Sequence, residues 1–225
     1  MASRTLPKRR HTIVEPPHQK ITSAEMWVLA ANGLYLLAGL IASLRFDNHE
    51  FLLYVAVVFI LLILVGALHL QVRFHVSLLW GLTLWGVAHM AGGLLPVPDS
   101  WPTAGSGNVL YNWWVIPPER LKFDQVVHAY GFGLTTIACW QSLRHAFANR
   151  GVAVTPTVGL ITLCVAGAMG FGATNEVIEF AATRLIPDTN VGGYENTGWD
   201  LVANAVGATT AGGLLLGFST KHAAS

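Results

Sequence analysis

Charged residues are scarce in this sequence. Asp, Glu, Lys and Arg together make up 11% of the 225 residues, whereas an ordinary soluble domain contains about 25%. Hydrophobic residues reach 53%. The one basic cluster, Lys8 to Arg10, lies in an N-terminal tail and not on a folded face, so we expect no nucleic-acid partner. The composition instead predicts a membrane protein.

Cysteine is almost absent, and the N-terminal residues do not have the pattern of a signal peptide. Cys139 and Cys164 both fall inside apolar runs, where no disulfide framework is expected. We therefore predict two free thiols that pack as small hydrophobic side chains. No short apolar region with a small-residue cleavage site follows the N-terminus. Residues 1–25 are expected to form a retained, flexible basic tail.

Six apolar stretches have the length of a membrane span. A crossing helix needs about 20 mostly apolar residues, and the six predicted helices are 26–44, 51–70, 74–95, 124–143, 157–182 and 199–218. The first three stand out on hydropathy alone, whereas acids, amides and glycines interrupt the last three. The predicted fold class is all-α, a polytopic membrane helix bundle of about six transmembrane helices. Its domain covers residues 26–218, with an outer loop at 96–123 and a short tail at 219–225.

The distribution of basic residues predicts the orientation. If the N-terminus is cytoplasmic, nine Lys and Arg residues lie on the inner side and four on the outer side. The positive-inside rule then favours cytoplasmic termini. The outer loop contains Trp101, Tyr111, Trp113 and Trp114, and such aromatic residues favour the headgroup level. The loop is expected to be either a partial lid or an ordinary anchoring belt.

Polar residues of four predicted helices fall at one depth near the outer face. His89 lies toward the outer end of the third helix, and the others begin the fourth, close the fifth and open the sixth: Asp124, His128, Asn175, Glu176, Glu179, Asp200 and Asn204. From Thr157 to Glu176 a helix rises about 29 Å, nearly a full crossing. Residues three or four apart share one helix face. This holds for three pairs: Asp124 with His128, Glu176 with Glu179, and Asp200 with Asn204. Five glycines nearby favour close helix approach: Gly131, Gly133, Gly170, Gly172 and Gly207.

Two interpretations of this cluster stay open. Asp124 and Asp200 could simply cap a helix or reach toward the interface. Glu176 and Glu179 cannot be caps, because the dipole disfavours acids at a helix C-terminus. They require a partner such as His128, His89 or a bound cation. Ionisable residues inside a membrane generally mark a functional site, and a purely structural network is the alternative.

Three chemistries fit the residue types. Histidine nitrogens and carboxylate oxygens could bind a divalent metal, although no H-E-x-x-H motif is present. Paired carboxylates with a histidine could perform acid/base work. The cluster could also recognise a lipid headgroup without a reaction.

Haem binding is disfavoured by the positions of the histidines. His75 and His89 are 14 residues apart, about 21 Å along one helix, a spacing similar to that of two-haem cytochromes. His128, however, has Ser142 and not histidine 14 residues later, so the axial pairs are incomplete. His69 and His75 are expected to be interface histidines at the inner end of the bundle.

Several blocks resemble a known family. The segment 123–132, with Asp124 and His128, resembles a signature of the YjdF-like bacterial inner-membrane proteins. Asn175–Phe180, Trp199–Gly207 and His89–Gly93 are similar to later and earlier blocks of that family. The order of acids and histidine also resembles VanZ-like membrane proteins associated with glycopeptide resistance. The resemblance covers 88–212 and departs at Gln125, where a basic residue is common, and at Asn204, where aspartate is frequent.

The resemblance implies a multi-pass protein of the bacterial inner membrane but supplies no reaction. We predict an outward-facing polar pocket that binds or acts on an envelope lipid or lipid-linked intermediate, with or without a divalent metal. The expected catalytic residues are Asp124, His128, Glu176 and Asp200, and the expected binding residues are His89, Glu179 and Asn204. His128, Glu176 and Asp200 are the expected metal ligands. The alternative is a non-enzymatic scaffold or accessory subunit, and a transporter is disfavoured because the cluster lies far from the midplane.

Overall fold

The computed structural model describes residues 21–105, 107–187 and 189–223, with side chains through 218. Most of the expected N-terminal tail lies outside these residues. Six helices make up the fold: α1 Ser23–Arg45, α2 His49–Val72, α3 Val76–Leu94, α4 Phe123–Ala148, α5 Val158–Leu185 and α6 Tyr194–Ala223. The all-α class is therefore confirmed.

The helix ends differ from the predicted ones where a polar residue begins or extends a helix. Thr22 and Glu25 form a capping box that starts α1 before its first long apolar run. Helix α6 begins at Tyr194, five residues earlier than predicted, and it continues to Ala223 through a stretch expected to be a tail. As a result, Asp200 lies in the second turn of α6 and not at its end.

Among the residues described, four helices have the length and hydropathy of a membrane span. They are α1, α2, α5 and residues 194–218 of α6. Helix α3, which was expected to stand out on hydropathy, is not among these four. Polar and small residues such as Thr83, His89 and Gly92 lower its mean hydropathy, although its exposed side chains include Trp80 and Leu84. In α4, Asp124, Gln125 and His128 have the same effect.

Helix α4 lies in the middle of the bundle, against α3, α5 and α6, and its contact with α6 is the most extensive. A Cβ atom on Gly207 would lie 1.8 Å from the carbonyl oxygen of Ala129, so only glycine permits this approach. Gly172 gives similar room, since its Cβ would lie 2.8 Å from Nδ2 of Asn204. Gly170 was expected to have the same role, but it faces open space.

Both cysteines are free, as predicted. Cys164 is buried in a small apolar cluster with Trp140 and Ile161, and Cys139 packs against that cluster while partly exposed. This cluster holds α4 and α5 together at the end of the bundle opposite to the acidic residues.

The outer loop has regular structure. A 3-10 helix at Leu110–Asn112 is followed by an antiparallel hairpin of β1, Trp114–Ile116, and β2, Leu121–Lys122. The rings of Trp101 and Trp113 lie 4.6 Å apart. The hairpin leads directly into α4, so it fixes where the first residues of that helix lie.

Candidate functional site

The acids and amides predicted from the sequence meet at one end of the bundle. We call this set the polar centre; its members are Asp124, His128, Glu176, Glu179, Asp200 and Asn204. Asp124 is the second residue of α4, and Glu179 lies six residues before the end of α5. Asp200 and Asn204 are fully buried, with 0% of their surface exposed. Three helices therefore contribute to one buried site.

His128 is the common neighbour of the acids. Its Nε2 lies 3.6 Å from Oδ1 of Asp124 and 3.9 Å from Oε1 of Glu179. Its Nδ1 lies 3.7 Å from Oε1 of Glu176. These separations exceed those of hydrogen bonds, so the carboxylates surround the ring without contacting it tightly.

Asn204 makes the one close polar contact of the His128 ring among the described side chains. Oδ1 of Asn204 lies 3.0 Å from Nδ1 of His128. An amide oxygen only accepts, so Nδ1 carries a proton and donates it. In the neutral ring, Nε2 then keeps its lone pair on the side of Asp124 and Glu179.

The polar centre carries more acid than the neighbouring bases can neutralise. Four carboxyl groups belong to it, whereas the nearest basic side chain is Lys122, whose Nζ lies 3.6 Å from Oδ2 of Asp124. Burying an ionised carboxylate costs several kcal/mol unless it is paired. Protons or a bound cation must therefore balance part of this charge.

Several polar atoms of the centre have no hydrogen-bond partner within the described part of the chain. Both side-chain oxygens of Glu176 and Oδ1 of Asp200 are buried in this way, as is Nδ2 of Asn204. Most buried polar groups are satisfied in native proteins. Three unpartnered acceptor oxygens around one histidine are the environment that a cation would complete.

Two sets of side chains could hold a metal ion. One consists of Asp124, His128 and Asp200, and the other of His128, Glu176 and Glu179, with the ligand atoms of each set within 4.8 Å of one another. Ligands on opposite sides of one ion lie ~4.3 Å apart, twice a typical bond length. Small side-chain shifts would therefore suffice. All three predicted metal ligands belong to these sets, and Asp124 and Glu179 extend them.

His89 lies beside the polar centre but is not in either set. Its Nδ1 is hydrogen-bonded to the hydroxyl of Tyr111, and its ring lies 5.7 Å from that of Trp85. Burial, followed by the charges of Asp124 and Glu179, raises the pKa of Tyr111 well above 10. The phenol therefore keeps its proton and shares a hydrogen bond with the His89 ring.

The cavity at this site is small. It has about 10 Å³ of free volume between His89 and His128, with Trp85, Val127, Phe132 and Asn175 as the remaining lining. That volume accommodates about one water molecule. A lipid headgroup does not fit into this cavity, so any headgroup would have to approach from the end of the bundle.

The sequence reasoning missed a chain of contacts around Lys122. Nζ of Lys122 donates to Oδ1 of Asn196, and Nδ2 of Asn196 donates to Oδ2 of Asp200 over 2.5 Å. Asn196 precedes Asp200 by four residues, a spacing that could have indicated a shared helix face. Lys122 also supplies Asp124 with a basic neighbour.

Glu50 was missed as well. It is buried at the start of α2, and its Oε2 accepts a hydrogen bond of 2.8 Å from the backbone N–H of Asn190. Nδ2 of Asn112 in turn donates to Oδ1 of Asn190. These contacts join α2, the outer loop and the α5–α6 connection above the polar centre. The available signal was an acid directly before the second predicted helix, 51–70.

His69 and His75 lie at the end of the bundle opposite to the polar centre. Nε2 of His69 lies 2.8 Å from Oε1 of Glu25. His75 is exposed at the start of α3, where its backbone N–H donates to Oε1 of Gln141. That the protein does not bind haem stays a prediction.

Comparison with known proteins identifies a family. No curated protein and no solved structure matches the chain. The family described as Predicted membrane protein (DUF2238) matches residues 25–221, which include all six helices apart from their outermost residues. The chain therefore belongs to this family of predicted membrane proteins.

Proposed function

We propose that this protein is a multi-pass protein of the bacterial inner membrane whose polar centre binds a divalent cation near the outer face. Through that cation, the site binds or acts on an envelope lipid or a lipid-linked intermediate. The YjdF-like and VanZ-like resemblances belong to the same proposal.

All six helices cross the membrane in this proposal. Helix α3 has 19 residues and α4 has 26, which correspond to about 28 and 39 Å. Their polar side chains Thr83 and His128 are buried, whereas Leu84 and Val126 are exposed. A helix that turns polar groups inward and apolar groups outward can face lipid despite a modest mean hydropathy.

Both termini are cytoplasmic in the proposed orientation. Arg73, Arg144 and Arg150 then lie on the inner side together with the basic N-terminal tail. Nine Lys and Arg residues lie on the inner side and four on the outer side. The polar centre lies at the opposite ends of the same helices, so it belongs to the outer leaflet.

The observation that carries the cation proposal is the set of buried acceptor oxygens without partners. An ionised carboxylate has only acceptors, so Glu176 and Asp200 require a donor or a cation. One nitrogen and four carboxylates suit Mn²⁺, Mg²⁺ or Zn²⁺ better than a soft ion. The close contact between Asn204 and His128 supports this role, because it leaves Nε2 available as a ligand.

The lipid proposal rests on the position of the polar centre near helix ends. Asp124 and Asp200 lie within the first two turns of α4 and α6, so the site is at headgroup depth and not at the midplane. A divalent ion held there could coordinate a phosphate oxygen and polarise it. The chain itself would supply the bases for any proton transfer. The candidates are Asp124 and Glu179, whose carboxylates lie 3.6 and 3.9 Å from Nε2 of His128.

The experiment is metal analysis of the purified full-length protein beside two variants. Wild type, His128→Ala and Glu176→Gln are each equilibrated with Mn²⁺, Mg²⁺ or Zn²⁺, dialysed, and analysed for metal per chain. We expect about one ion per wild-type chain and loss of that ion in both variants. Asp99→Asn is the control, since Asp99 pairs with Asn108 in the outer loop and not with the polar centre.

The alternative is a scaffold whose polar centre is a structural network. In that case no ion is retained by the wild type, and both variants lose detergent stability because a buried network is broken. Folded variants without metal in any of the three proteins would also reject the cation proposal. Helical content from circular dichroism separates these outcomes from simple misfolding.

A further inference from the structure

A basic cleft opens at the end of the bundle opposite to the polar centre. Its volume is about 330 Å³, and its polar lining is Arg73, His75, Gln141, Arg144 and His145. Twenty residues of α4 separate Asp124 from Arg144, a rise of about 30 Å. The cleft is therefore separate from the polar centre.

We propose that this cleft binds a phosphate group, and specifically the headgroup of an anionic phospholipid. It lies between the α2–α3 connection, the C-terminal end of α4 and the segment that leads to α5. Basic clefts between membrane helices on the cytoplasmic side are suited to anionic headgroups.

The charge of the lining is one-sided. Two arginines and two histidines line the cleft, and no acidic residue does. Glu25 offsets part of this charge from outside the lining, because its Oε1 lies 3.9 Å from Nη1 of Arg73 and 2.8 Å from Nε2 of His69. Arg144 is exposed at the rim. A guanidinium group can bind phosphate through two parallel hydrogen bonds.

Existing contacts leave hydrogen-bond donors on the lining residues. Oε1 of Gln141 already accepts from the backbone of His75 over 2.9 Å, which leaves the amide NH₂ as a donor. Nδ2 of Asn149 donates to Nε2 of His145 over 2.8 Å, so the proton of the neutral ring is on Nδ1. These donors and the arginines suit an oxyanion.

The rest of the cleft is apolar, and this favours a lipid over free phosphate. Val72, Val152 and Val154 contribute to its wall. A cleft of this size exceeds one phosphate group and has apolar surface for the glycerol and the first acyl carbons. Helix ends at this level place the basic residues at headgroup depth.

The test measures phospholipid binding to the full-length protein in detergent. The probes are dihexanoyl phosphatidylglycerol, dihexanoyl phosphatidylcholine and inorganic phosphate. We expect phosphatidylglycerol to bind wild type about five times more tightly than it binds Arg144→Gln, as expected for one lost basic contact. Arg150→Gln is the matched control, because Arg150 is exposed at the same end but does not line the cleft. Arg144→Lys keeps the charge and should recover most of the affinity.

Each outcome decides the proposal. Displacement of phosphatidylglycerol by millimolar phosphate would show that the phosphate group alone is recognised, and lack of displacement would show that the lipid portion is needed. Both results support a phosphate site if Arg144→Gln weakens binding. Equal binding of phosphatidylcholine, or equal affinities of the Arg144→Gln and Arg150→Gln variants, would overturn it.

Discussion

Nδ1 of His128 lies 3.0 Å from Oδ1 of Asn204, 76 residues later in the chain. This contact joins α4 to α6 at a point where Asn204 is completely buried. It fixes both the tautomer and the direction of the ring that the four carboxyl groups surround. The contact therefore determines how His128 is oriented within the polar centre.

Removing the Asn204 contact should weaken cation binding. Asn204→Ala leaves the His128 ring without its orienting acceptor, and loss of such a partner typically lowers metal affinity by about 10–100-fold. Asn204→Asp retains an acceptor oxygen and should preserve the affinity. Isothermal titration with Mn²⁺ measures both. An Asn204→Ala variant with wild-type affinity would show that this contact does not orient a metal ligand.

Lys122→Gln should strengthen cation binding while it destabilises the metal-free protein. Nζ of Lys122 lies 3.6 Å from Oδ2 of Asp124 and competes with a cation for the acidic charge. Removing it should favour the ion by about 1–2 kcal/mol at the dielectric of a partly buried site. Melting temperatures with and without Mn²⁺ measure the effect, and the metal-induced increase should exceed that of wild type. A structural network would give a lower melting temperature with no added metal response.

Gly207→Ala should destabilise the packing of α4 on α6. The new Cβ would lie 1.8 Å from the backbone oxygen of Ala129, which cannot rotate away. Overpacking of this kind costs about 1–3 kcal/mol. Gly213→Ala is the control on the same helix, since a Cβ there meets nothing within 4 Å. Thermal unfolding in detergent should separate the two variants, and equal melting temperatures would contradict the close approach.

Glu50→Ala should loosen the connection between α5 and α6. Its carboxylate accepts from the backbone N–H of Asn190, 140 residues away. A hydrogen bond to a charged group contributes about 1.5–3 kcal/mol, so exchange of the Asn190 amide should accelerate about 10–100-fold. Hydrogen exchange followed by mass spectrometry measures this, with Glu195→Ala as the exposed control. Unchanged protection at Asn190 would show that other contacts hold the connection.

The sequence by itself determined the class of the protein and the polar residues that share one depth. Long apolar stretches can bury their backbone in lipid only as helices, so hydropathy and length predicted helices at all six places, although α3 and α4 are less apolar than the other four. Asp124, His128, Glu176 and Asp200 could be placed at one depth because a helix rises by a fixed distance per residue. Their chemistry was left open among metal binding, acid/base work and headgroup recognition.

Only the tertiary structure decided which side chains face one another. Rotation of each helix about its axis determines that Asn204 meets His128 and that Lys122, from the hairpin, reaches Asp124. Local spacing identifies a helix face but not its partner, since the partner depends on close packing at glycines such as Gly207. For the same reason, the basic cleft around Arg144 could not be predicted: its lining comes from segments that are distant in sequence and meet only where α2 and α4 end and α3 begins.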